Sequence, residues 1–256
     1  MMAKKTATTF YKQHLRYFFA AIFVFCSLSS VKAQAHLNQE EFTGRWEVAV
    51  HGGTSLFFGD IKQNLILPIS SHVNEWRWAG GLNVGYQISP VFKLLLQGIY
   101  GHLSGTRRRW NMYFDAEYIE TNLVVNVNFN NLFGDKRVTR IASVYGVLGV
   151  GLMQHNTAVK DLETSKIIKT VGYGKGSGIN GMTIEGVVTY GLGLDFILSD
   201  HWVFRAESVN RAINTDRLDG YEDQFPFDVY NYTSVGIAYK FGIVKKKIKE
   251  IKVKTF

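Results

Sequence analysis

The segment Thr189–Glu207, TYGLGLDFILSDHWVFRAE, alternates with a two-residue period on both sides of the turn Ser199-Asp200. Tyr190, Leu192, Leu194 and Phe196 interleave with Gly191, Gly193 and Asp195, and beyond the turn Trp202 and Phe204 interleave with Arg205 and Glu207. Successive side chains of a strand point to opposite faces, so the pattern sends one set to each side of a sheet. In a water-soluble sandwich the apolar set would be the interior. Here aromatics gather near the turn while glycine and charge share the other face, the pattern of a membrane hairpin with lipid on its apolar side and a lumen on its polar side.

Eight segments alternate in this way: Arg45–Phe58, Trp78–Ile88, Phe92–His102, Ala116–Asn130, Ile141–His155, Met182–Leu198, His201–Arg211 and Asp228–Ile243. Each is long enough for the roughly 9–11 residues of a tilted membrane strand, whereas no window after the N-terminal region reaches the ~18 consecutive apolar residues of a spanning helix. Short connections follow the second and sixth segments (Ser89-Pro90-Val91 and Ser199-Asp200), and a moderate one, Asn131–Arg140, follows the fourth. Long ones follow the first (Gly59–Arg77), third (Leu103–Asp115), fifth (Asn156–Gly181) and seventh (Ala212–Phe227). Outer-membrane barrels have short periplasmic turns and longer outer loops. The expected fold is therefore all-β, an eight-stranded antiparallel up-and-down transmembrane β-barrel with long outer loops over residues 36–243. Closure is required because an open edge in hydrocarbon leaves backbone groups unpaired.

The ends of the chain read differently. Lys4, Lys5, Lys12 and Arg16 precede the short apolar run Tyr17–Ser30, and Ala33 and Ala35 offer cleavage sites, so residues 1–35 are expected to be a signal peptide that is removed. The single cysteine, Cys26, lies inside it, which leaves the mature chain without thiol chemistry. The formal charge of +8 falls to +3 once the five cations of that segment are set aside. The tail, residues 244–256, carries six lysines and Glu250, so the segment between the two ends is slightly acidic. Basicity confined to the termini excludes nucleic-acid binding. The tail is expected in the periplasm, where it could meet anionic headgroups or a protein partner.

Parity places Glu47, His51, Lys93, Gln97, Glu120, Glu185, Asp195, Arg205, Glu207 and Lys240 on the polar face. Charges of both signs in an eight-stranded lumen, which is about wide enough for side chains, predict a plug of ion pairs in place of a conducting pore. The expected network comprises Glu47, Lys93, Glu120, Glu185, Asp195, Arg205, Glu207 and Lys240. Arg107, Arg108 and Arg109 fall in an outer loop, where guanidinium groups could meet lipopolysaccharide phosphates. The acids near Asn214–Asp228 could hold calcium or simply be hydrated. No catalytic, cofactor or metal set is expected. The glycines of GYGKGSG (Gly172–Gly178) lack phosphate-loop spacing, and the histidines show no ligand spacing. His102-Leu103-Ser104 resembles the His-x-Ser step of a barrel lipid A deacylase, with no acid to orient the histidine. A narrow transporter and a lipid-modifying enzyme are the alternatives to a structural barrel.

Taken with that hairpin, WEVAVHGGTSLFFGD (Trp46–Asp60), SVYGVLGVGL (Ser143–Leu152), NTDRLDG (Asn214–Gly220) and DVYNYTSVGIAYKFG (Asp228–Gly242) give a resemblance to the small outer-membrane β-barrels common in Bacteroidota. These share the architecture of the OmpA N-terminal barrel. Within that group the Phe57-Phe58-Gly59-Asp60 step is similar to PorG-like barrels associated with the type IX secretion machinery. The resemblance implies an outer-membrane, non-enzymatic scaffold with a secretion-system partner, and it transfers no functional residue.

Overall fold

Alternating β-branched and aromatic residues, with glycine between them, leave these segments no stable alternative to extended pairing. A computed structural model describes residues 45–58, 61, 75–134, 141–215, 217–220 and 227–242. The strands are β1 (Arg45–Phe58), β2 (Arg77–Gln87), β3 (Phe92–Arg107), β4 (Met112–Asn128), β5 (Ala142–Asp161), β6 (Ile167–Val171), β7 (Thr183–Ile197), β8 (Trp202–Ile213) and β9 (Asp228–Phe241), with one short helix, α1 (Phe129–Phe133), after β4. The expected signal peptide and the lysine-rich tail lie outside the described residues. So does most of the first outer loop.

All strands but β6 form a closed antiparallel ring in chain order, with β1 pairing β9 and β4 pairing β5. Cα partners followed around the ring from Glu47 run through Gly85, Leu95, Val124, Gly149, Thr189, Arg211 and Tyr230 and return to β1 at Phe57. The path returns ten residues along, from position 47 to 57. Such a stagger is what tilts strands in a closed barrel. Outward positions such as Leu82, Leu123, Val150 and Leu192 are exposed aliphatics. Rings flank them at both ends: Trp46 on Tyr86 and Trp202 on Tyr239 near the short turns, Trp78 on Tyr100 near the other end. An apolar belt edged by aromatics is the exterior of a membrane barrel.

The two short turns are built alike. Ser89 Oγ accepts from the Val91 and Phe92 amides, and Ser199 Oγ accepts from His201 and Trp202, so each serine closes its own reversal. The moderate connection begins with α1, capped by Asn128, whose side chain accepts from the Asn131 amide, while Asn131 Nδ2 ties the helix to the Pro90 carbonyl.

The other end corrects two expectations. Residues 103–115 do not form a long outer loop, because β3 runs on to Arg107 and β4 starts at Met112, leaving one 3₁₀ turn at the tip. The alternation there is masked by Leu103, Ser104, Gly105 and Thr106, all of which are buried. The fifth connection likewise contains β6, which pairs with the outward extension of β5. Asp161 closes that hairpin by accepting from the Glu163 and Thr164 amides and the Thr164 hydroxyl. The Thr164 amide bond holds its carboxyl below the usual carboxylate range. A depressed folded value gives support that is present above the unfolded value and is lost as pH falls through the folded one.

Glycine at position 53 is required by closure. A Cβ there would overlap the Thr233 carbonyl oxygen and sit 2.6 Å from Ser234 Cα on the β1–β9 seam. Gly53→Val should therefore abolish most of the folded protein, read as loss of the compact band that unheated barrels give on gels. Retention of that band would show that the seam tolerates a side chain.

Candidate functional site

The lumen contains two groups of charge, stacked along the strands. Near the short turns, Arg205 on β8 is held between β1 and β7: Nη1 lies 2.8 Å from Glu47 Oε1, and Nε and Nη2 donate to Asp195 at 2.8 and 3.0 Å. Lys93 donates to Glu47 at 2.9 Å and stands 3.6 Å from Asp195. Glu207 accepts from the Tyr145 hydroxyl at 2.6 Å and lies 3.9 Å from Arg205. Tyr145 reaches it by laying its ring over Gly193, where any Cβ would collide with the phenol.

Higher in the lumen, Arg211 on β8 donates to Glu120 at 2.8 Å and to Gln97 at 3.0 Å, with its guanidinium 5.2 Å from the Tyr232 ring centroid. Glu120 also accepts from Asn122 and from the Tyr230 hydroxyl. His51 bridges Tyr232 at 2.9 Å and Asn83 at 3.0 Å. The Asn83 carbonyl can only accept, so Nε2 carries the proton and Nδ1 receives the Tyr232 hydroxyl. Glu120, Arg211 and Arg205 are 0%, 1% and 2% exposed, so these charges are held away from solvent.

Above this level large apolar side chains dominate the interior, with His155 and Thr157 also buried among them. Phe57, Leu103, Met112, Phe114, Met153 and Ile213 form the largest buried cluster, reversing the expectation of a polar inner face along every strand. Two loop residues complete it: Ile61, whose amide donates to Asp219, and Leu218, whose amide donates to Asp228. The acids of the fourth outer loop that are described thus bind backbone amides at the mouth, and no group of acids there could hold a metal ion among the described residues.

Of the expected network, Glu47, Lys93, Glu120, Asp195, Arg205 and Glu207 are brought into ion pairs or hydrogen bonds within the lumen. Lys240 faces the Glu47 and Asp195 cluster without an ion pair among the described residues. Glu185 is not part of it. It stands near the outer end of β7, toward Thr215 and Arg217, because the strand descends to the charged level only further along, at Asp195. Arg211 and the inward tyrosines 118, 145, 230 and 232 were not anticipated. Parity carried the signal: Arg211 shares the face of Arg205 and Glu207, and Tyr230 and Tyr232 share that of Ser234.

The remaining candidates separate. Arg107 lies with its guanidinium 3.4 Å from the Trp110 ring centroid, and exposed Arg108 and Arg109 occupy the hairpin tip. His102 packs against Trp78 and Tyr100, while the Ser104 hydroxyl donates to the Phe114 carbonyl at 2.9 Å. No hydrogen bond joins His102 to Ser104 among the described residues, so the nucleophile–base pair of an esterase is not formed.

No family model matches the chain, and no curated protein matches it. Among solved structures it is similar to Ail, the attachment invasion locus protein of Yersinia pestis, at 14% identity over 78% of this chain and 100% of that one, with a TM-score of 0.44. Neisserial surface protein A is similar at 11% identity over 78% and 100%, TM-score 0.43. The outer membrane protein OprG from Pseudomonas aeruginosa is similar at 13% identity over 76% and 95%, TM-score 0.37.

Removing one partner of a buried ion pair leaves an uncompensated charge, at about 3–5 kcal/mol, whereas neutralising both costs far less. Arg211→Ala should destabilise the barrel by that amount in urea unfolding from lipid vesicles, and Arg211→Met with Glu120→Gln should recover most of it. A single-variant loss under ~1 kcal/mol would mean that the Arg211–Glu120 pair is not shielded from water.

Proposed function

We propose that this chain is a non-conducting outer-membrane barrel that serves as a rigid anchor or scaffold in an envelope assembly, with type IX secretion as the assembly its sequence resemblance favours. The observation that carries this reading is the filled lumen. A solute moving along the axis would have to displace Arg205 from two carboxylates and Arg211 from Glu120, then pass the apolar cluster at the mouth. Each step exposes a buried charge at a cost of several kcal/mol. With the axis blocked, the surfaces left for function are the lipid-facing wall, the outer loops and the periplasmic tail. The guanidinium groups at the tip of the β3–β4 hairpin would meet lipopolysaccharide phosphates, and the six lysines of residues 244–256 would meet an anionic membrane surface or an acidic face of a periplasmic protein.

Two measurements test this. Purified protein in planar bilayers should give no stable conductance, and reproducible single-channel steps would overturn the plugged reading in favour of transport. Cross-linking in whole cells should recover secretion-system subunits with the intact chain. Deleting residues 244–256 should reduce that recovery while the heat-modifiable barrel persists; recovery of the barrel alone from the intact chain would refute the scaffold role.

A further inference from the structure

We infer that the outward face of β8, β9 and β1 is the surface through which a second copy of this chain docks, side by side in the membrane. Elsewhere the lipid-facing belt is mainly aliphatic or aromatic, at Leu82, Leu123, Leu148, Val150, Val188 and Leu192, with Thr121 a lone polar side chain on β4. Here it is interrupted by Thr54, Ser208, Asn210, Asn231 and Thr233, all at outward parity. The register sets Thr233 beside Thr54 and Ser208, and Asn231 beside Asn210, so the five make one patch.

The patch is at membrane depth. Allowing for the ten-residue stagger spread over eight strands, Asn210 stands level with Val150 on β5, two strands round the ring, and Thr54, Ser208, Asn210 and Thr233 lie below the Trp78–Tyr100 pair that edges the belt, with Asn231 level with Tyr100. Hydrocarbon offers an amide neither donor nor acceptor, so such groups bond to one another or to a protein neighbour. Much of the patch bonds internally. Asn231 Nδ2 donates to Asn210 Oδ1 at 2.9 Å and to Ser208 Oγ at 3.2 Å, Thr233 Oγ1 donates to Asn231 Oδ1 at 2.7 Å, and the Ser208 and Thr233 hydroxyls meet at 3.1 Å.

That leaves Asn210 Nδ2, whose two hydrogens meet no described acceptor, beside its own Oδ1, which has a second lone pair. One group supplying both an unused donor and an unused acceptor is self-complementary. A two-fold axis parallel to the barrel axis, which keeps both copies in the same topology, sets each Asn210 Nδ2 against the partner copy's Asn210 Oδ1 and closes two equal hydrogen bonds. Gly52, Gly80 and Ala206 beside the patch let the walls approach, and exposed Val50, Val235 and Ile237 below it supply apolar contact. The patch carries no charge, so a like copy is not repelled.

The inference rests on the barrel spanning a membrane, which fractionation of the cells tests separately before any cross-link is read. The test uses the full chain with Cys26→Ser and a single cysteine introduced at position 210, 233 or 148, each variant first scored for heat-modifiability. Oxidation in native membranes should give a reducible band of twice the chain mass from Asn210→Cys or Thr233→Cys, and none from Leu148→Cys on β5, outside the patch. In detergent micelles, Asn210→Leu should weaken self-association measured by sedimentation roughly tenfold, the scale of hydrogen bonds lost between membrane segments. Absence of the dimer band from both patch positions, an equal band from position 148, or an adduct of different mass, which would indicate an unlike protein, each overturns the proposal.

Discussion

A sheet in hydrocarbon has no water to satisfy its edges, and that constraint determines most of what this chain does with its residues. Closing the ring with eight strands removes the edges, and the ten-residue return from Glu47 to Phe57 tilts the strands. It also fixes a lumen too narrow for bulk water, so whatever faces inward must find its partners among other inward side chains. Charges placed there must balance locally. Glu47, Asp195 and Glu207 face Lys93, Arg205 and Lys240 at one level, and Glu120 faces Arg211 at the next. The same narrowness makes glycine a spatial requirement at Gly53, against the neighbouring strand, and at Gly193, beneath the Tyr145 ring.

Tyrosine is the residue that reconciles the two demands on the interior. Its ring fills volume as an apolar side chain would, and its hydroxyl reaches the buried polar groups: Tyr145 donates to Glu207, Tyr230 donates to Glu120, and Tyr232 bonds to the His51 imidazole. Tyr118 extends this toward the mouth by pairing its hydroxyl with Ser55 at 2.8 Å and its ring with Tyr230. The transition from charged to apolar filling is therefore gradual, which is why the inner face of β4 can carry Glu120 and, six residues nearer the mouth, Phe114.

This explains what could be read in the sequence and what could not. The two-residue period located all eight barrel strands, with β1 matching the expected bounds at both ends, because lipid outside and polarity inside impose opposite chemistry on neighbouring residues. The outer ends of β3, β4 and β5 were invisible to that reading. Beyond the belt the exterior is no longer lipid, and the interior holds Leu103, Phe114 and Met153, so the contrast that marks a strand disappears. Local parity cannot say how far a strand has climbed, and Glu185 was accordingly grouped with charges that lie deeper. The inward tyrosines were missed for a related reason: a period of two assigns an aromatic to a face only when its neighbours are unambiguous.

The physics that fills the lumen also makes the outer wall informative. Inside, a polar residue is expected, and its presence says little about function. On the lipid face it opposes the solvent, so Asn210, Asn231 and Thr233 persist against the same pressure that made Leu82 and Leu192 aliphatic. Fold stability alone gives no reason for them, since their hydrogen bonds to one another replace apolar contacts that Val or Leu would make with lipid more favourably. A contiguous, mutually bonded interruption of the belt, unlike the lone Thr121 on β4, is what distinguishes a wall that meets protein from one that meets only lipid.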